Sequence, residues 1–180
     1  MNELESKFNA KYSRCLSNFK TMSIDTSQPN KPPLCSDTHY KSYNFDKIVK
    51  EEYPDKHPAS PDTLIIKNNK VYCVEFKNLT KIKVNKYKKN LQEKLQQGTE
   101  VLLKILDDLS IKPKNLKFIF CVVYKENKNK YTYASNIENK VSHFGLKDAD
   151  KYDFYQHIYT QPVTFFRQQF IDKIDKNLPC

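Results

Sequence analysis

The sequence predicts an α/β fold with a mixed central β-sheet flanked by helices. Three observations carry this. The apolar residues cluster in three dense stretches, Thr63 to Ile66, Val71 to Phe76 and Leu116 to Tyr124, each of strand length. Helical periodicity precedes the first two and separates them from the third. The third stretch is almost continuously hydrophobic, the pattern of a strand buried on both faces of a sheet.

Residues 1–42 read as an N-terminal helix and an irregular arm. Leu4, Phe8 and Tyr12 recur at helical spacing. Residues 22–38 hold Ser, Thr, Asp, Asn and three prolines and read as a loop. The main domain is expected over residues 43–180. Asn44 is placed to cap a helix whose apolar stripe is Phe45, Ile48 and Val49, and Pro54 stops it. A strand is expected at 62–67, a tight reversal at Asn68-Asn69-Lys70 and a second strand at 71–77, together a hairpin. A long helix over Tyr87 to Leu109 carries Leu91, Leu95, Val101, Leu102, Ile105 and Leu106 on one face, with a bend expected at Gly98. Pro113 ends it, and the central strand 116–124 follows. A partner strand is expected at Tyr131 to Ala134 and a last helix from Val163 to Ile174. There is no internal repeat.

The formal net charge of +10 over 180 residues favours polyanionic partners by long-range attraction. Arg14 and Arg167 are the only arginines, so the excess is lysine. That argues for phosphate attraction more than for base reading by bidentate guanidinium forks. The N-terminus lacks the basic start and apolar run of a signal peptide, and no segment approaches the ~20 apolar residues of a membrane span. The expected location is intracellular, cytoplasmic or nuclear. Cys15, Cys35, Cys73, Cys121 and Cys180 are odd in number and contain no CxxC pair, so no disulfide framework is expected. The spacing of Cys15, Cys35 and His39 is wrong for a compact zinc module.

The chemistry concentrates at one end of the hairpin. Side chains alternate across a strand, so Glu75 and Lys77 share a face with Val71 and Cys73. Pairing across the turn puts Glu75 opposite Asp62 or Thr63, which brings two carboxylates together. Close carboxylates repel, and a divalent cation converts that repulsion into binding. Lys77, one step further, can reach a bound water or a phosphate oxygen. Two helical residues point the same way. Glu52 falls in the middle of the Phe45–Ile48–Val49 stripe while Glu51 falls outside it. Lys94 interrupts the apolar face of the long helix, with Gln97 competing for the same role.

Ser60-Pro61-Asp62-Thr63-Leu64-Ile65-Ile66 and Val74-Glu75-Phe76-Lys77-Asn78 resemble the two halves of the signature of the PD-(D/E)XK nuclease superfamily. The resemblance covers residues 44–124 and includes the order of the surrounding elements. It implies a restriction endonuclease-like core. It implies a metal site made by Asp62, Glu75 and the backbone carbonyl of Phe76, with Glu52 as an added helix ligand. Lys77 would orient or activate the attacking water, and Lys94 is similar to the basic or amide residue some members carry on the next helix.

The expected function is therefore a Mg²⁺-dependent phosphodiesterase, an endonuclease acting on DNA, with Mn²⁺ as a substitute ion. The competing expectations are a catalytically idle nucleic-acid-binding or interaction domain of the same fold, and a nuclease directed at RNA. Oligomeric state is open; a homodimer is one option, because double-strand cleavage often needs two sites.

Overall fold

The computed structural model describes residues 2–25, 30–79, 85–125, 143–166 and 180. The strand expected at Tyr131 to Ala134, and the expected last helix beyond Phe166, lie outside these residues. The elements run α1 (Glu3–Tyr12), β1 (Leu16–Asn18), α2 (Phe19–Met22), β2 (Lys41–Asn44), α3 (Phe45–Glu52), β3 (Thr63–Lys67), β4 (Lys70–Lys77), α4 (Lys88–Asp108), β5 (Lys117–Tyr124) and β6 (His157–Pro162). A final helical turn begins at Val163.

The six strands form one mixed sheet in the order β1-β2-β3-β4-β5-β6. The first four are antiparallel in sequence; β5 is parallel to β4, and β6 is parallel to β5. Helix α4 makes the crossover that the parallel β4–β5 pair requires. The α/β expectation with a mixed sheet is therefore met.

The hairpin turns on Asn68 and Asn69, with φ of 50° and 60°. Both lie in the left-handed region, which asparagine tolerates better than most residues and which matches the twist of the flanking strands. The resulting register pairs Thr63 with Val74 and Leu64 with Cys73, so Asp62, one residue before β3, falls beside Glu75.

Alternation sorts β3, β4 and β5 onto two covered faces. Leu64, Val71, Cys73, Phe118, Phe120 and Val122 face a larger core shared with α1, α3 and α4. Ile65, Tyr72, Val74, Phe76, Ile119, Cys121 and Val123 face a smaller one closed by Phe19, Met22, Cys35, Val163 and Phe166. Burial on both sides accounts for the unbroken hydrophobicity of β5.

The N-terminal residues are part of this core. Asn2 and Glu5 form a reciprocal capping box at the start of α1, and Leu4, Phe8 and Tyr12 are buried against α3 and the sheet. Strands β1 and β2 extend the sheet, and Lys41–Asn44 spans the expected boundary at residue 42. Short strands such as β1 and β2 carry too few residues to show alternation, which is why the sequence reads as an arm.

One expectation needs correction, and one glycine gains a reason. Cys35 and Cys180 form a disulfide across 145 residues of sequence, whereas no disulfide was expected. Such a separation leaves no spacing signal; the pair meets only because both residues cover the smaller core. Cys15, Cys73 and Cys121 are free and buried. Gly98, where a bend is expected, makes a close approach. Helix α4 is continuous from Lys88 to Asp108, and a Cβ on Gly98 would lie 2.6 Å from Pro61 Cδ. The glycine lets the helix pack against the Ser60-Pro61 loop.

Candidate functional site

Strand β4 ends at Lys77 beside the C-terminal end of β5, the rim where open α/β sheets present ligand crevices. Glu75 is fully buried there. Asp62 is fixed next to it, because its Oδ2 accepts a hydrogen bond from the Phe76 backbone N–H at 2.5 Å. That bond continues the hairpin ladder by one side chain and fixes where the carboxylate sits.

Helix α4 crosses this rim and supplies three residues at i, i+3 and i+7, namely Tyr87 at its cap, Asn90 and Lys94. Lys94 Nζ reaches both carboxylates, at 2.8 Å from Glu75 Oε2 and 3.3 Å from Asp62 Oδ1. Lys77 Nζ donates to Asn90 Oδ1 at 3.0 Å and lies 5.5 Å from the centroid of the Tyr87 ring, within range of a cation–π attraction. It also approaches Glu75 Oε1 at 2.7 Å. That approach is outside hydrogen-bonding geometry, and Glu75 Oε1 is buried with no hydrogen-bond partner. A buried carboxylate oxygen without a hydrogen bond is costly and suits a cation, here the Lys77 ammonium.

The cluster opens into a cleft of about 650 Å³. Lys47, Lys50, Lys77 and Lys94 line it, as do Asp25, Asp46, Asp62 and Glu75. In formal charge, the described lining therefore balances four lysines against four carboxyl groups. Burial, and then the neighbouring Glu75 charge, push the Asp62 carboxyl up to about 8, against the opposing pull of Lys94 and the Phe76 N–H. Burial alone would lower Lys94; the two carboxylates outweigh it, and its ammonium is held above the ordinary lysine range.

Asp62, Glu75, Lys77 and Lys94 are thus brought together as the sequence suggested. Glu52 is not. Its Oε1 accepts from the Tyr12 hydroxyl at 2.8 Å and pairs with Lys11 at 2.9 Å, away from the cleft-lining residues. Glu51 is also engaged elsewhere, with Arg14 at 3.0 Å. The helical phase of Glu52 correctly turns it inward, but toward α1, which the sequence did not place there. Gln97 is excluded from the role given to Lys94, because its side-chain oxygen accepts from the Ala59 N–H at 2.7 Å.

The acidic residue that α3 does send to the cleft is Asp46, held by the Ser60 hydroxyl at 2.5 Å. Its position in the first turn reads from sequence only as a favourable helix-dipole charge. Asn90 was also missed, although its spacing of four from Lys94 marks it as a neighbour.

The donor set can be tested against a divalent ion. Among the described residues, no group of three or more His, Cys, Asp or Glu is placed to hold a metal. Two carboxylates could hold an ion that keeps several waters, which is the habit of Mg²⁺, although Lys77 and Lys94 already approach their oxygens. Among the described residues, no helix is long and apolar enough to cross a membrane. Comparison of the chain with protein-family models, with curated proteins and with solved structures returns no significant match. The class defined by fold and site is an α/β protein with a buried carboxylate–lysine cluster at a sheet rim.

Proposed function

We propose that this chain is a metal-dependent nuclease of the PD-(D/E)XK type that hydrolyses phosphodiester bonds in DNA. The observation that carries this reading is the convergence of Asp62, Glu75 and Lys77 at the rim of β4, with Glu75 Oε1 lacking a hydrogen bond.

Asp62 and Glu75 would hold the ion, with the Phe76 carbonyl as a further ligand implied by the resemblance. Mg²⁺, when bound, supplies Lewis-acid polarisation of a phosphoryl oxygen. Lys77 presents a preorganised cation to the charge that develops as water attacks phosphorus. Asn90 and Tyr87 restrict where that ammonium can sit. The Phe76 N–H holds Asp62 in register. The cleft floor offers no net positive charge of its own, so a divalent ion is what would make it attractive to phosphate. Longer-range attraction comes from the +10 charge of the whole chain.

One observation favours a second reading. Two lysines already neutralise two carboxylates, as a structural ion-pair network would. On that reading the chain is a catalytically idle nucleic-acid-binding domain of the same architecture. Incubation of the protein with DNA and with RNA of matched sequence, in Mg²⁺ and in chelator, separates the readings. The nuclease reading expects metal-dependent loss of DNA that Glu75→Ala abolishes. Metal-dependent cleavage confined to RNA reassigns the substrate, and binding without cleavage of either supports the idle domain.

A further inference from the structure

The Lys94 ammonium occupies the space between the two carboxylates that a shared cation would use. It touches one oxygen of each, at 2.8 Å and 3.3 Å. It arrives there from α4, across the cleft from β4, and its side chain is only 16% exposed. With Lys77 it matches the two carboxyl groups in formal charge. Entry of a divalent ion with Lys94 in place would leave two cations sharing the same oxygen lone pairs and two surplus positive charges in a buried site.

We infer that Lys94 is a tethered counter-ion that holds the Asp62–Glu75 site in the metal-free protein and is exchanged for the divalent ion. This rests on the nuclease reading above, and it adds a step to it. The ion does not enter an empty pair of carboxylates; it displaces a resident ammonium, which swings outward into the cleft that Lys94 already lines. Three consequences follow. Metal binding is weaker than two buried carboxylates would otherwise give. The metal-free site is held closed instead of sprung apart by repulsion. Each metal-binding event delivers a cation to the cleft wall where a phosphate would lie.

Asp46 gives the released ammonium a destination. It lines the same cleft, where its carboxylate is held by the Ser60 hydroxyl.

The test uses Mn²⁺ alone, without nucleic acid. Calorimetric titration is run on the wild type, Lys94→Met and Lys50→Met. Lys50 lines the same cleft, so its loss reports the general effect of removing one cleft charge. Lys94→Met is expected to bind Mn²⁺ about tenfold tighter or more, within the range of couplings between competing ligands, and Lys50→Met to change affinity much less. In parallel, acetylation of Lys94 in the wild type, read by mass spectrometry, is expected to be slow in chelator and to speed up with saturating Mn²⁺. Unchanged Lys94 acetylation on Mn²⁺ binding overturns the exchange, even if Lys94→Met fails to fold, and leaves the nuclease reading standing. Equal Mn²⁺ affinities of Lys94→Met and Lys50→Met overturn it too. Absence of Mn²⁺ binding in all three proteins overturns the exchange and the metal-dependent reading together.

Discussion

Lys77 Nζ lies 2.7 Å from Glu75 Oε1, an ion-pair distance, and also donates a hydrogen bond to Asn90 Oδ1 at 3.0 Å. The lysine is thus held beside the acidic pair by two partners at once.

The first prediction follows from that placement of Lys77. Lys77→Ala should lower cleavage by roughly 10²–10³, the ~2.7–4 kcal/mol scale of one preorganised charge donor. Folding and DNA binding should remain close to wild type. The side chain ends a strand, so its loss opens little cavity. Single-turnover rates measured beside a binding isotherm check this, and near-wild-type cleavage would remove Lys77 from the mechanism.

Gly98→Ala offers a test with an unusual sign. In an ordinary helix this substitution stabilises, by up to about 1 kcal/mol. Here the new methyl would lie 2.6 Å from Pro61 Cδ, and overpacking typically costs about 1–3 kcal/mol. Net destabilisation in a denaturant titration is expected, together with reduced activity, because Pro61 precedes Asp62.

Glu52 should matter to stability and not to cleavage. Burial alone would raise its carboxyl, but hydrogen bonds from Lys11 and Tyr12 outweigh burial and hold it below the usual glutamate range. A carboxyl whose folded pKa is depressed contributes stability above its unfolded pKa of about 4.3. That contribution is lost as pH falls through the lower folded value. Glu52→Gln should therefore be less stable than wild type at neutral pH, with the difference shrinking in acid, while the cleavage rate is preserved. A loss of cleavage with stability intact would return Glu52 to the site.

DNA binding should weaken steeply with salt, since lysines that neutralise phosphates release condensed counter-ions. The +10 charge motivates this expectation. The slope of log K against log salt measures it. A flat slope would mean that the lysine excess is not a nucleic-acid footprint.

The legible parts of the sequence were those where local chemistry and periodicity agree. Asn68-Asn69 set the hairpin register, and from that register the approach of Asp62 to Glu75 could be foreseen. Lys94 stood out because a charge on the apolar face of a long helix needs a partner. Long-range partners were not legible. Glu52 was given the right phase and the wrong neighbour, because the position of Tyr12 depends on how α1 docks. The Cys35–Cys180 bond and the edge strands β1 and β2 depend likewise on contacts that no local pattern encodes.

The metal dependence of cleavage tests the central claim most directly. Duplex DNA is incubated with chelator-stripped protein, and Mg²⁺ or Mn²⁺ is then titrated back for the wild type and Asp62→Ala. The account predicts no cleavage without metal and saturable cleavage in the wild type. It predicts a shift to higher metal concentration, or complete loss, in Asp62→Ala, because one of only two acidic ligands is gone. Cleavage by the stripped wild type in excess chelator, or an unchanged metal curve in Asp62→Ala, would contradict it.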